Sequence, residues 1–183
     1  MLVGNKSRLV PLVESDYPLL AAWLNQPDVV EPALTSVAYP TNEEAVRKHF
    51  DEKLSREDTL LLMIEDLSTG KKVGFLEVDE IDWKNRRANL AGTVIGDKDD
   101  RGRGLGSDAR RTLIRFCFEE MNLNRLQSIV FEFNKTMIRL NERMGFRLDG
   151  TLREYLFRYG RYWDALLFSM LFSDFKQVGD WGG

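Results

Sequence analysis

The pattern of apolar and polar residues predicts a chain in which amphipathic helices alternate with short strands. In residues 104–121, apolar residues recur at intervals of three and four, which is the spacing of one helix face. These residues are Leu105, Ala109, Leu113, Phe116 and Cys117. Residues 59–65 instead form an apolar run that turn residues follow directly, which is typical of a buried strand.

Helix start and stop signals divide the rest of the chain. Thr41 and Glu44 form a capping box, Asn134 stands at an N-cap position, and Gly145 stands where a glycine ends a helix. The predicted helices cover residues 17–25, 41–54, 104–121 and 134–144. The predicted strands cover residues 7–13, 59–65, 73–81, 87–95, 126–133, 146–158 and 161–172. Residues 26–40 lack a regular period and carry several prolines, so we expect a loop with at most a short helical piece.

The order β-α-α-β-β-β-α-β-α-β-β predicts an α+β fold of the layered αβα type, in which helices flank a mixed, mostly antiparallel sheet. One β-loop-α-β crossover occupies its centre, and antiparallel hairpins lie on one side. A chain of 183 residues is the size of one domain, so we assign residues 1–183 to a single unit. We expect its core to span residues 8–172 and the polar, glycine-rich tail 173–183 to be frayed.

Composition excludes several classes of function. A net charge of −3 argues against nucleic-acid binding by bulk electrostatics. The single cysteine, Cys117, excludes an internal disulfide and a multi-cysteine metal site, so no metal is expected. The single histidine, His49, lies on a predicted surface helix, where it is not expected to act in catalysis. No signal peptide or membrane-length apolar run is found, so we expect a cytoplasmic protein that does not bind membranes.

One glycine-rich loop carries the chemistry that composition leaves open. It follows the predicted strand 87–95, and its central residues are Arg101, Gly102, Arg103, Gly104, Leu105, Gly106 and Ser107. Glycines let backbone N–H groups line up against a ligand, and a helix start adds unpaired N–H groups and the positive end of its dipole. These features predict a phosphate site, and two arginines strengthen it because guanidinium groups match phosphate geometry. The alternative is a turn that caps an ordinary helix.

Three kinds of phosphate loop can be compared with this run. A Walker A loop requires a lysine after its last glycine, and the dinucleotide fingerprint requires a glycine where Ser107 stands; neither fits. Arg101-x-x-Gly104-x-Gly106 resembles instead the Arg/Gln-x-x-Gly-x-Gly/Ala loop with which the GNAT superfamily of N-acetyltransferases holds the pyrophosphate of acetyl-CoA.

Other stretches resemble one branch of that superfamily, which includes ribosomal-protein N-terminal acetyltransferases and spermidine acetyltransferases. They are residues 23–29, 134–146, 149–154 and 160–164. Each stretch alone is a weak signal, but together they occur in the family's order and spacing. The likeness covers about residues 8–172.

The resemblance implies how acetyl-CoA, the cosubstrate, is held. The strand that ends at Val94, Ile95 and Gly96 is expected to splay from its neighbour, so that its free backbone groups bind the pantetheine arm and polarise the thioester carbonyl. Residues 101–107 are expected to hold the pyrophosphate through backbone N–H groups. Asn134 is expected to contact the cofactor through its side-chain amide, with a plain helix cap as the alternative.

Two positions depart from the family's pattern. Asn141 stands where the family often has a tyrosine that protonates the departing thiolate, and an amide cannot deliver a proton at neutral pH. The family's acid early in the third strand falls at Asn89 or Leu90, and neither is an acid. Glu77 is a candidate replacement in catalysis, and the others are Asp79, Tyr155, Tyr159 and Tyr162. Each also has a packing or surface interpretation, and positioning with oxyanion stabilisation could carry the catalysis.

We interpret the chain as an acetyl-CoA-dependent N-acetyltransferase that acts on a primary amine by direct attack. The acceptor classes left open are a protein N-terminus, a polyamine, an amino sugar or another small amine. Residues 28–40 and the turn at Tyr159 are expected to flank the acceptor's entrance. A CoA-binding regulatory protein without catalysis is one alternative, because Asn141 and the missing acid point to it. A nucleotide-binding module is another, and a homodimer is left open.

Overall fold

A single sheet forms the centre of the molecule in the computed structural model, which describes residues 2–32 and 39–178. Its strands are β1 (Leu2–Val3), β2 (Ser7–Pro11), β3 (Leu60–Asp66), β4 (Lys72–Asp82), β5 (Arg87–Ile95), β6 (Arg125–Phe131), β7 (Arg147–Arg158) and β8 (Arg161–Leu171). The helices are α1 (Tyr17–Leu24), α2 (Pro27–Val30), α3 (Glu43–Leu54), α4 (Leu105–Glu119), α5 (Lys135–Arg143) and α6 (Phe172–Gln177).

The sheet has the mixed topology that the sequence predicts. Its order in space is β1-β2-β3-β4-β5-β6-β8-β7. Neighbouring strands are antiparallel except β5 and β6, which are parallel and are joined through α4. A parallel pair needs such a crossover because its strands start at the same end of the sheet. The predicted α+β class and the central crossover are therefore confirmed.

The parallel strands β5 and β6 stay paired over a short distance only. Their register runs from Arg87 opposite Arg125 to Asn89 opposite Gln127, and beyond this point the two strands part. On its other side, β5 follows β4 to its end, where Ile95 lies opposite Gly74. One edge of β5 is therefore without a neighbouring strand from Leu90 onward, as the predicted splay requires.

Apolar side chains pack on both faces of the sheet because successive strand residues point to opposite sides. On the first face, the core includes Leu105, Leu113 and Ile114 of α4 against Leu76 and Leu126 of the sheet. On the second face, α1 and α3 pack on residues of β3, β4 and β5. The members of this second cluster include Leu20, Trp23, Val46, Phe50, Met63, Phe75 and Val94.

The start of α3 differs from the sequence prediction. The N-cap of α3 is Asn42, whose side chain accepts a hydrogen bond from the Ala45 N–H at 2.8 Å, so the predicted Thr41–Glu44 capping box is wrong. Thr41 is instead held by Asn25, which bonds both its backbone N–H and its carbonyl. The α5 boundaries agree better, since Asn134 is the N-cap as predicted.

The C-terminal tail is more ordered than its polar composition indicates. Residues Phe172–Gln177 form α6, and the buried Phe175 ring packs on Phe118 with a centroid distance of 5.1 Å. These aromatic contacts make the prediction of a frayed tail wrong up to residue 178. Residues 179–183 lie outside the described part of the chain, as do residues 33–38 of the predicted loop, in which α2 is the short helical piece.

The N-terminal hairpin of β1 and β2 is attached to α4 through one carboxylate. Asp108 accepts hydrogen bonds from the backbone N–H groups of Asn5 and Lys6 at 3.0 Å. It also accepts from the N–H of Ser7 at 2.9 Å and from its hydroxyl at 2.7 Å. Gly4 completes the fit, since a Cβ there would lie 2.3 Å from an Asp108 oxygen. Asp108 therefore fixes where the hairpin lies on α4.

Among the helices of residues 2–32 and 39–178, none has the length and apolar character needed to cross a membrane.

Asp108→Asn should lower the free energy of unfolding by about 1–3 kcal/mol at pH 7, because an amide cannot accept all of these hydrogen bonds and leaves donors of the buried Ser7 unpaired. Urea denaturation measures the difference. Asp99→Asn is the matched control, since Asp99 is an exposed acid that precedes α4 in the chain. Equal stability of the two variants would contradict the role of Asp108.

The loss of stability in Asp108→Asn should depend on pH. Burial raises the pKa of Asp108, but hydrogen bonds from the Ser7 hydroxyl and from the backbone N–H groups of Lys6, Asn5 and Ser7 outweigh it and lower the pKa. A carboxylate with a lowered pKa contributes stability above its ordinary pKa of about 3.9 and loses it as the pH falls through the folded value. The difference between wild type and Asp108→Asn should therefore shrink below pH 4.

Candidate active site

The glycine-rich loop presents a row of free backbone donors at the end of β5. Gly102 and Gly104 have φ angles of +75° and +86°, which side-chain-bearing residues rarely adopt. These two glycines turn the chain directly into α4, which begins at Leu105. Within the described residues, the N–H groups of residues 102–107 have no hydrogen-bond acceptor. With the positive end of the α4 dipole behind them, they form a site for an anion such as a phosphate.

The two loop arginines form hydrogen bonds and ion pairs that stabilise the loop. Arg101 donates to the carbonyls of Ile95 at 3.1 Å and Gly96 at 2.5 Å, and to Asp28 at 2.5 Å. Arg103 is held in the same way by Asp66 at 2.7 Å and by Asp100 at 2.8 Å. Both guanidinium groups therefore form internal ion pairs in this structure, and their contact with a phosphate stays a prediction. The predicted contact through backbone N–H groups does not depend on these side chains.

The carboxylates around the loop take part in hydrogen bonds and ion pairs. Hydrogen bonds from the Ser68 hydroxyl and backbone N–H, together with Arg103, outweigh burial and lower the pKa of Asp66 to about 2. Lys71 bridges Asp97 at 2.9 Å and Asp100 at 3.1 Å. The loop is therefore fixed by ion pairs that do not use its backbone N–H groups.

Lys6 is a loop residue that the sequence did not reveal. Its Nζ donates to the carbonyl of Arg103 at 3.0 Å, and it lies 3.2 Å from the point where a Cβ of Gly104 would be. The two positions are far apart in sequence, and only the docking of the N-terminal hairpin on Asp108 brings them together. No local pattern around Lys6 could have indicated this contact.

The end of β5 lies beside the gap where β5 and β6 part. Gly96 donates its N–H to Val73 of the neighbouring strand at 3.0 Å, so by the alternation of an antiparallel ladder the backbone of Ile95 faces the gap and that of Val94 faces β4. Gly96 must be a glycine, because a Cβ there would lie 2.1 Å from the Trp23 indole. Of the three predicted strand residues, Ile95 therefore has a backbone N–H that can contact a ligand in the gap, whereas its carbonyl accepts from Arg101.

Asn134 is engaged at both ends of its amide. Its oxygen accepts from the N–H of Met137 at 3.1 Å, which is the helix-cap interaction, and its nitrogen donates to the carbonyl of Pro32 at 3.1 Å. Asn134 therefore caps α5, as the alternative interpretation predicts. A contact between Asn134 and a cofactor stays a prediction.

The structure places Glu77 and Asn141, the two candidate catalytic residues, on opposite faces of the sheet. Glu77 is buried on the face covered by α3 and pairs with the Lys53 ammonium, with oxygen distances of 2.5 and 2.7 Å. Asn141 is buried on the face covered by α4, and its oxygen accepts from Arg110 at 2.8 Å. Neither side chain is exposed to solvent, and the two cannot act on each other.

The other candidates for proton transfer either form hydrogen bonds within the protein or lie exposed on its surface. Asp79 accepts a hydrogen bond from Asn89 at 2.7 Å, and the Tyr159 hydroxyl donates to Glu31. This hydrogen bond is the main reason that the pKa of Tyr159 is raised. Tyr155 and Tyr162 lie exposed on the β7–β8 hairpin. None of these groups lies at the glycine-rich loop.

The segment after α1 bridges the two sides of the gap. At one end Asp28 pairs with Arg101 of the loop, and this hydrogen bond lowers the pKa of its carboxyl. At the other end the segment contacts the β7–β8 turn through Glu31 and Tyr159, and α5 through Pro32. The two segments predicted to flank an acceptor are therefore in contact over the gap.

Comparisons with known proteins agree with this geometry. A family model described as "Acetyltransferase (GNAT) domain" matches residues 7–147. The chain is 28% identical over 143 residues to YokL of Bacillus subtilis (strain 168), a prophage-derived uncharacterized N-acetyltransferase, with 78% of each chain aligned. It is 31% identical over 97 residues to spermidine N(1)-acetyltransferase of Escherichia coli (strain K12), where 53% of this chain and 51% of the relative align.

A solved structure gives the same fold over nearly the whole chain. The spermidine N-acetyltransferase from Vibrio cholerae, crystallised in complex with CoA and spermine, superposes with a TM-score of 0.83 at 20% identity. The match covers 93% of this chain and 98% of that one.

Gly104→Val should weaken CoA binding more than about tenfold, since a branched side chain at this left-handed position costs about 1–2 kcal/mol and displaces the donors of the loop. Gly70→Val is a matched control: its φ is +69°, no atom lies within 4 Å of its Cβ position, and its N–H donates to the Asp66 carbonyl and is not one of the free donors of the loop. Calorimetric titration with CoA, beside urea denaturation, separates binding from folding. Wild-type affinity in a folded Gly104→Val protein would contradict the site.

Proposed function

The chain belongs to the GNAT family of acetyltransferase domains, and we propose that it transfers the acetyl group of acetyl-CoA directly to a primary amine. The observation that carries this proposal is the row of free N–H groups at residues 102–107, directly beside the gap between β5 and β6. An anionic cofactor with a long polar arm can bind at both places. The N–H groups of the loop can bind its pyrophosphate, and the free backbone edge of β5 can form hydrogen bonds with amide groups of its arm. Acetyl-CoA supplies the activated thioester.

The residues of this chain have separate tasks in that reaction. The loop anchors the cofactor, and the backbone of Ile95 at the gap orients its arm. The attacking amine approaches the gap past the bridging segment, which carries Asp28 at its loop end and Glu31 at the end near the β7–β8 turn. Carboxylates at an entrance attract a cationic amine before it loses its proton. Holding both reactants in one geometry is itself a large part of the catalysis.

A polyamine is the acceptor class to test first. Spermidine acetyltransferases occur among the relatives and among the structural neighbours of this chain. A protein N-terminus is the second acceptor class to test, because one relative, YdaF of Bacillus subtilis (strain 168), is named as a putative ribosomal N-acetyltransferase. It is 30% identical over 105 residues, with 57% of this chain and 56% of the relative aligned.

A second candidate function rests on Asn141. This side chain is buried, is bound to Arg110 and cannot donate a proton at neutral pH, so a CoA-binding protein without turnover has a specific observation in its favour. The two candidates differ in whether any amine is acetylated.

A thiol-release assay with acetyl-CoA should show turnover with at least one of spermidine, a peptide with a free N-terminus and an amino sugar. Mass spectrometry of the product should show the addition of one acetyl group. Gly104→Val is the negative control, and Gly70→Val should behave as wild type. Tight CoA binding without turnover on any amine would support the second candidate, and absence of CoA binding would contradict both.

Glu77→Gln should affect stability more than turnover, because the carboxylate is paired with Lys53. The loss of this buried pair should lower the free energy of unfolding by about 1–3 kcal/mol, whereas kcat should stay within a few-fold of wild type. Glu80→Gln, at a less buried position on the same strand, is the control. A fall in kcat of about 100-fold with wild-type stability would instead identify Glu77 as the general base.

A further inference from the structure

One side chain, that of Arg101, joins the end of β5 to the segment after α1. Its Nε donates to the carbonyl of Ile95 at 3.1 Å, and its Nη2 donates to the carbonyl of Gly96 at 2.5 Å. Its Nη1 donates to the carboxylate of Asp28 at 2.5 Å. Two of these acceptors lie where β5 ends, and the third belongs to the bridging segment. The guanidinium therefore contacts both the proposed cofactor edge and the proposed acceptor entrance.

The contacts with β5 hold the peptide unit that follows Ile95 at both ends. Its N–H, which belongs to Gly96, donates to the carbonyl of Val73 at 3.0 Å, and its carbonyl, which belongs to Ile95, accepts from Arg101. From the face covered by α1, the fully buried Trp23 lies so close that a Cβ at Gly96 would be 2.1 Å from its indole. These contacts together fix the end of β5, and with it the Ile95 N–H that faces the gap.

The contact with Asp28 holds one end of the bridging segment. Asp28 lies in the first turn of α2, and the next two side chains, Val29 and Val30, are buried. Val29 packs in the cluster that covers the second face of the sheet. At its other end the segment is held by the hydrogen bond between Glu31 and Tyr159. The ion pair between Asp28 and the loop therefore sets where the segment lies relative to β5.

The second loop arginine lacks this arrangement. Arg103 pairs with Asp66 at 2.7 Å and with Asp100 at 2.8 Å, and neither partner belongs to β5 or to the bridging segment. The two arginines are two residues apart and both are ion-paired, but in the described part of the chain only Arg101 bonds β5 as well as a carboxylate. This difference indicates that Arg101 has a task beyond stabilising the loop.

We propose that Arg101 is a positioning residue that couples the two substrate sites, acting through Ile95 and Asp28 and not as a ligand of the cofactor's phosphates. This inference rests on the proposed function. A cofactor arm that bonds the Ile95 N–H requires the end of β5 in its present place, and Arg101 ties that place to the position of Asp28. Both substrates are then held in one mutual geometry, on which direct attack depends.

The positioning role and a phosphate-binding role predict different losses for ligands with and without phosphate. CoA and pantetheine, which keeps the amide arm and has no phosphate, are titrated while backbone amide resonances are followed by NMR. Arg101→Met should weaken both ligands by the same factor, about tenfold or more, because two carbonyls of β5 lose a charged donor. A loss for CoA alone would assign Arg101 to the phosphates and overturn the inference.

Three further variants separate the contacts of Arg101 from other effects. Arg101→Gln keeps an NH₂ donor for a carbonyl of β5 without the charge that pairs with Asp28, and it should restore part of the affinity for both ligands. Arg103→Met should weaken CoA and not pantetheine, because it disturbs only the loop. Lys98→Met should match wild type, since Lys98 is exposed and lies 3.8 Å from the Asp28 carboxylate. Urea denaturation checks that each variant is folded.

The coupling to the acceptor segment has its own readout, which requires no amine. In wild type, CoA should shift the backbone amides of Val29 and Val30 as well as that of Ile95, whereas in Arg101→Gln only Ile95 should respond. Asp28→Asn should give the same result, and adding it to Arg101→Gln should have no further effect, since both changes break one contact. Wild-type shifts at Val29 and Val30 in these variants would overturn the coupling.

Turnover supplies a last comparison and separates this inference from the proposed function. With an amine that is acetylated, kcat in Arg101→Met should fall about 10²-fold with acetyl-CoA and with S-acetylpantetheine alike. If the binding results are as expected but no amine is acetylated, the positioning role stands and the proposed acceptor chemistry fails. If an amine is acetylated and Arg101→Met reduces only CoA affinity, the proposed function stands and the inference fails. If wild type does not bind CoA, both fail.

Discussion

The early separation of β5 and β6 is the constraint on which the rest of this structure depends. A parallel pair in the middle of a sheet would normally satisfy its backbone along its whole length, yet this one is paired only as far as Asn89 and Gln127. The free edge of β5 then needs a partner other than a strand. The glycine-rich loop, the start of α4 and the bridging segment after α1 are all arranged around that edge, so the proposed cofactor site and the proposed approach of an acceptor both depend on the gap between the strands.

Charge is used here mainly to shape the site. Asp28, Asp66 and Asp100 hold the two loop arginines, and Asp108 holds the N-terminal hairpin that brings Lys6 to the loop. These pairs leave the backbone N–H groups as the donors that face a ligand. Arg101 also reaches from the loop to the end of β5, so this one side chain joins the proposed cofactor site to the bridging segment.

The parts of the fold that depend on local signals could be predicted from the sequence. The strand and helix periods gave the central crossover, and Asn134 and Gly145 marked the ends of α5. The resemblance to the GNAT superfamily led to the interpretation of residues 101–107 as a pyrophosphate-binding loop. Local signals failed where a distant contact decides the outcome, as in the tail, which aromatic packing against Phe118 orders as α6. They also failed for Arg110, because a charged residue next to an apolar helix stripe is normally solvated, and only the tertiary fold shows that it is buried.

The most direct measurement for the site is the perturbation of backbone amide resonances on titration with acetyl-CoA. The amides of Gly102, Gly104 and Gly106 lie in the row of free donors and are well suited to NMR, since glycine amides resonate in a distinct region. We expect large shifts at these glycines and at Ile95, whereas Gly150 on the edge strand β7 stays unchanged. Binding of acetyl-CoA that leaves the loop glycines unshifted would contradict the assignment of the loop as the cofactor site.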